Sequence, residues 1–147
     1  DTQRNLTSSF FDQTLNWMLQ LRERHDDVQF AVAALRVANF DALAASLGTH
    51  PALRLVDAFA RRLREAVRTT DLITRAGDHA WYILSPQTDH PGLLALLQSI
   101  EALAVASDQG GGRRIELAAN CLTADEIANP GAGAEVLLAA LLAGTRA

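Results

Sequence analysis

A chain of 147 residues has the length of one domain, and its 49% apolar content is enough to close a full hydrophobic core. A net charge of −4 with 20% charged residues offers no basic surface of the kind a nucleic acid polymer needs. Every basic residue is arginine, so chemistry that requires a lysine amine, as nucleophile or as phosphate clamp, is excluded.

The chain starts at Asp1 rather than Met, which reads as a domain cut from a longer protein, with room for a membrane or sensory segment upstream. No leader-like segment is visible, and no apolar stretch reaches the ~20 residues of a membrane span. Residues Leu6–Arg24 carry Phe10, Phe11, Leu15, Met18, Leu19 and Leu21 at roughly helical spacing, with Thr7 or Ser8 as cap and His25-Asp26-Asp27 as the stop. Val28–Val37 is apolar and β-branched and reads as a buried central strand. Asn39 to Leu47 is a short helix stopped by Gly48, and Pro51 opens a second helix at its first position. Leu53, Val56, Phe59 with Ala60, Leu63 and Val67 form the core face of that second helix. Arg54, Arg61, Arg64 and Arg68 recur along it as one basic stripe.

Leu72–Thr74 and Trp81–Leu84 are two strands joined by a hairpin-like turn over Arg75–Ala80. Leu93–Val105 is a helix, 108–112 a flexible glycine loop, Arg114–Leu122 a strand, 123–133 a loop and Ala134–Leu142 an apolar terminal helix. The lone Cys121 rules out an internal disulfide. It reads as a small core residue, consistent with a reducing, cytoplasmic compartment, including the cytoplasmic part of a membrane-associated protein. No second His or Cys stands at ligand spacing from His79, so no metal is expected there. Helices alternating with strands give an α/β (α+β) sandwich around a central sheet.

A helix pair feeding a β-hairpin is the arrangement of the nucleotide-cyclase palm, and the residues resemble the GGDEF (diguanylate cyclase) family over most of the chain. Phe40, Leu43 and Gly48 match that family's first helix. Thr70-Asp71-Leu72-Ile73-Thr74-Arg75 matches its (S/T)DLxxR strand, and Gly77-Asp78-His79-Ala80-Trp81 falls on the signature hairpin. The resemblance implies a mostly antiparallel sheet flanked by helices. It divides the chain into an N-terminal helix leading in over residues 1–27 and a degenerate GGDEF domain over 28–147.

The resemblance also implies a vestigial active site. The family's metal-binding acids fall on Arg36 and His79, its guanine-reading residues on Ala44 and Leu53, and the next hairpin carboxylate on Ala80. An arginine repels a divalent cation, and magnesium wants hard oxygen ligands. The expectation is therefore a chain that is not an enzyme, with no catalytic residue and no magnesium or other cofactor. Arg36 would find its partner in Asp78.

One family site is retained. Arg68-Thr69-Thr70-Asp71 occupies the register of the family's inhibitory RxxD, with five residues between Asp71 and Gly77. Arg and Asp at two preset positions arise by chance at odds of order 1 in 400. Arg68 offers a planar fork to guanine or phosphate, and Asp71 an acceptor for guanine N1 and N2 donors. Arg61 and Arg64 would extend the basic surface. The family's second arginine has no counterpart in Gln98-Ser99-Ile100-Glu101, so Arg61, Arg64, Arg113, Arg114 or a second molecule would replace it.

The resulting expectation is a cyclic di-GMP receptor, resembling modules of exopolysaccharide regulators. Its partners would be neighbouring domains of a longer chain, a secretion or synthase complex, or a second copy in a homodimer. Two alternatives stand beside it: a non-binding dimerisation or docking scaffold, and a GTP-binding regulator of a linked phosphodiesterase. The plainer reading of Arg68 is a helix C-terminal arginine favoured by the dipole.

Overall fold

The computed structural model describes residues 2–106 and 114–146, with side chains from 9 to 104 and from 114 to 145. The glycine loop expected at 108–112 lies outside the described residues. The elements are α1 (Thr2–Arg24), β1 (Phe30–Val37), α2 (Phe40–Leu47), α3 (Thr49–Ala66), β2 (Leu72–Gly77), β3 (Ala80–Pro86), α4 (His90–Ala106), β4 (Leu117–Thr123) and α5 (Ala134–Ala143). The four strands form one sheet in the order β2-β3-β1-β4, every pair antiparallel.

Central β1 explains the three layers. Its side chains alternate between faces, and both faces are covered, which is why the sequence there is continuously apolar. Ala33, Leu35 and Val37 join one core with Leu43 of α2, Val56, Phe59 and Leu63 of α3, and Ile100 of α4. Phe30, Val32 and Ala34 join a second core with Phe11, Leu15, Met18 and Leu19 of α1 and Leu138 and Leu141 of α5. The first helix therefore supplies one wall of this core.

Several boundaries differ from the sequence expectation. α1 runs through Thr7 and Ser8 instead of starting at them. α3 begins at Thr49, so Pro51 sits inside its first turn, where a missing N–H is still tolerated. The hairpin is tighter than expected. Gly77 faces Ala80 across a two-residue Asp78-His79 turn, with a register shift between Arg75 and Gly77. Gly77 takes φ +146, a value L side chains rarely adopt. Phe10, one of the apolar residues at helical spacing on α1, is 60% exposed.

The loop expected at 123–133 contains two short 3-10 turns. The first is closed by a capping box, in which the Thr123 backbone N–H and hydroxyl both donate to Glu126 Oε1, at 3.1 and 2.9 Å. The backbone bond first, then the hydroxyl, holds the Glu126 carboxyl below its usual 4.5. A carboxyl depressed by folding stabilises the fold above its unfolded pKa and loses that contribution as pH falls through the folded one. Wild type should thus melt above Glu126→Gln at pH 7, and the gap should close as pH is lowered below 4.5. Thermal melts at a series of pH values would test this, and a gap constant with pH would refute it.

Candidate functional site

Helix α3 stops at Ala66, and Val67 turns to extended backbone at φ −77, ψ 155. Arg68 therefore lies beyond the helix, in a turn, and not on the helical stripe the spacing suggests. The turn is closed by its own residues. The Asp71 N–H donates to the Arg68 carbonyl at 2.9 Å. In return the Asp71 carboxylate accepts from the Arg68 backbone N–H at 2.9 Å, from Nε at 3.4 Å and from Nη2 at 3.2 Å.

The two partners are placed very differently. The Asp71 side chain is 0% exposed and that of Arg68 is 54% exposed. As placed, Asp71 reaches a ligand only through Arg68, whereas the sequence expectation gave it a direct role as guanine acceptor. Arg68 Nη2 also donates to Thr88 Oγ1, and that hydroxyl donates to the Pro86 carbonyl at 3.0 Å. Arg68 thus ties the α3–β2 turn to the β3–α4 loop. Its Nη1 has no hydrogen-bond partner among the described residues and keeps two N–H groups for a ligand.

Arg68 lines a groove of about 720 Å³, within the range of small-molecule sites. One side of the groove is α1 with its following loop, through Trp17, Met18, Leu21 and Asp27. Another is the β3–α4 loop, through Gln87, Thr88 and Asp89. Gln87 is the one non-glycine with positive φ among the described residues, at +50, and its N–H donates to the Gln29 carbonyl at 2.8 Å. Such strain persists where surrounding bonds over-determine the backbone. Asp89 caps the N-terminus of α4 by accepting from the Gly92 N–H at 3.0 Å.

Sequence reasoning missed Trp17, Thr88 and Asp89. A signal for Trp17 was present, since it falls off the stripe of Phe11, Leu15, Met18 and Leu19. Arg61 and Arg64 are exposed on α3 and do not line the groove. Arg114 is exposed, with its carbonyl accepting from Asn39 Nδ2 at 2.9 Å. Arg113 lies outside the described residues.

The hairpin positions form a second region. Alternation places Arg36 on the same face of β1 as Val32 and Ala34, flanked by the small residues Ala80 and Ala118. The sequence points to Asp78 as its partner; its hydrogen bonds go to Thr145, from Nε to Oγ1 at 3.2 Å and from Nη2 to the carbonyl at 2.5 Å. That residue belongs to the C-terminal turn, 109 positions away, on the face that alternation dictates. His79 stacks on Phe40 with ring centroids 4.4 Å apart. Burial first, then the charge of Arg36, lowers its pKa, which favours the neutral ring. Arg75 donates from Nη2 to Asp57 Oδ1 at 2.9 Å and to the Asp78 carbonyl at 2.7 Å, and its guanidinium lies over Trp81. Trp81 is buried in the core, while Ala44 and Leu53 are half-buried.

The family model for the diguanylate cyclase GGDEF domain matches residues 7–110. The chain belongs to the GGDEF domain family. Solved structures carry the same palm fold. The GGDEF domain of DgcB from Caulobacter crescentus, in complex with c-di-GMP, aligns at TM-score 0.72 and 13% identity, covering 92% of this chain and 80% of that one. The GGDEF domain of YfiN (TpbB) from Pseudomonas aeruginosa aligns at TM-score 0.72 and 20% identity, covering 92% and 83%. The S helix-GGDEF-EAL segment of Vibrio cholerae LapD, bound to c-di-GMP, aligns at TM-score 0.68 and 17% identity, covering 92% and 29%. No curated protein matches in sequence.

The match corrects one expectation. The sequence reading took the chain to be no enzyme, yet GGDEF domains are typically diguanylate cyclases, and the model that matches is theirs. The groups at Arg36 and His79 nevertheless fit a hard divalent cation poorly. Arg36 brings a positive charge without an available lone pair, and His79 offers nitrogen rather than a hard oxygen, on a ring stacked against Phe40. No helix among the described residues is long and apolar enough to cross a membrane.

Proposed function

We propose that this GGDEF domain binds cyclic di-GMP in the groove at Arg68. The observation that carries the reading is the Arg68 guanidinium, held by Asp71 and Thr88 at a groove of about 720 Å³ with Nη1 unspent. Two N–H groups on one cationic nitrogen suit a phosphate oxygen or the O6/N7 edge of guanine. Guanine also presents N1 and N2 donors. Asp27 and Asp89 line the same groove, and their carboxylates would supply acceptors for them, Asp89 through the oxygen not bonded to the Gly92 N–H. Those carboxylates repel phosphate, so the phosphates belong at Arg68 and the base edges toward the acids.

Binding would change the contacts between this domain and its neighbours in a longer chain, the output expected of a module in an exopolysaccharide regulator. Isothermal titration of the folded domain with cyclic di-GMP tests the reading. Saturable heat at micromolar ligand is the expected result. No heat at high micromolar ligand would sink it.

A docking scaffold is the second reading, favoured by Phe10 on α1 and Val136 on α5, exposed by 60% and 59%. It predicts association without nucleotide, visible by sedimentation.

A further inference from the structure

We propose that Trp17 is the stacking platform for a guanine base of the ligand bound at Arg68, an inference that rests on the cyclic di-GMP reading above. Tryptophan carries the largest apolar surface of any side chain, and folding ordinarily hides most of it. Its neighbours on α1 follow that rule, with Met18 at 6% and Leu19 at 2% exposure, while Trp17 stands 60% exposed. The helical period explains how. Phe11, Leu15, Met18 and Leu19 face the core, and Trp17 falls off their stripe.

Trp17 is also one of the residues lining the groove that Arg68 lines. The combination selects a ligand class. An indole face takes a flat π-system. Arg68 Nη1 takes an anion or a purine acceptor edge, and the carboxylates of Asp27 and Asp89 take base-edge donors. An aliphatic or lipid ligand would make no use of Arg68 Nη1 or of either acid. A free phosphate would leave the indole unused. A guanine nucleotide uses all four. Base–aromatic stacking is also insensitive to which base it holds, so specificity for guanine would come from the polar groups and affinity from Trp17.

The test is a cyclic di-GMP titration followed by calorimetry and by tryptophan emission, on wild type, Trp17→Ala, Trp17→Phe and Arg68→Ala. Trp81, the other tryptophan, is 3% exposed, so a ligand-dependent quench reports Trp17. Wild type is expected to bind with quenching. Trp17→Ala should weaken binding by on the order of 10-fold, the size of one lost base stack. Its melting temperature should match wild type, because the side chain is exposed. Trp17→Phe should keep affinity within about threefold, since a smaller ring still stacks, and lose the quench. Wild-type affinity in Trp17→Ala together with weakened binding in Arg68→Ala would overturn the stacking role and leave the Arg68 site standing. No binding by folded wild type would overturn both.

Discussion

Arg68→Ala is expected to raise the dissociation constant for cyclic di-GMP by on the order of 100-fold, the equivalent of about 3 kcal/mol. Hydrogen bonds to charged groups contribute about 1.5–3 kcal/mol each, and Arg68 offers two N–H groups on a side chain already fixed by Asp71 and Thr88. Fixing matters because little rotamer freedom is left to lose on binding. Arg68→Lys should recover only part of the loss, since an ammonium on a flexible stem cannot bridge Asp71, Thr88 and a ligand with one planar fork. The stability penalty should be smaller than the binding penalty. Truncating Arg68 opens the groove above the Asp71 carboxylate, so water can replace the guanidinium there, and the backbone N–H at position 68 still donates to Oδ2. Calorimetry and thermal melts on the same samples separate the two effects. A variant that binds like wild type would place the ligand elsewhere.

Much of the fold was legible because local pattern and global packing agree. The unbroken apolar run of β1 announced a strand covered on both faces, and it has a core on each. The hairpin was legible from Gly77-Asp78, although its two-residue tip was not, because apolar periodicity fades at the polar residues of a turn. What stayed hidden depended on partners distant in sequence. Thr88 stands 20 positions from Arg68 and Thr145 stands 109 from Arg36. Nothing in the composition of either loop marks it as a partner. Helix periodicity also misplaced Arg68. The spacing of Arg54, Arg61, Arg64 and Arg68 continues past Ala66, but the backbone does not, because Asp71 bonds back to position 68 and forms a turn instead. The family register located the Arg68–Asp71 pair, and only the packing revealed that one member is buried and the other faces the groove.

Asp71→Ala should invert the balance seen for Arg68, with a larger effect on stability and a secondary one on binding. The Asp71 carboxylate accepts three hydrogen bonds, two of them from the guanidinium and one from the backbone of the turn. Its side chain is 0% exposed, so its removal leaves the N–H at position 68 without its acceptor and a small void beneath the turn. The surviving guanidinium is 54% exposed and stays solvated, which keeps the loss well below that of stripping one partner from a fully buried pair. About 2 kcal/mol is expected, or roughly 5–8 °C in melting temperature for a domain of this size. Cyclic di-GMP binding should weaken by about 10-fold, because Arg68 then loses the partner that orients it. A double-mutant cycle decides between orientation and direct contact. If Asp71 acts only through Arg68, Asp71→Ala costs nothing further in affinity once Arg68 is alanine. Additive losses would instead mean that the carboxylate leaves its buried position and touches the ligand itself.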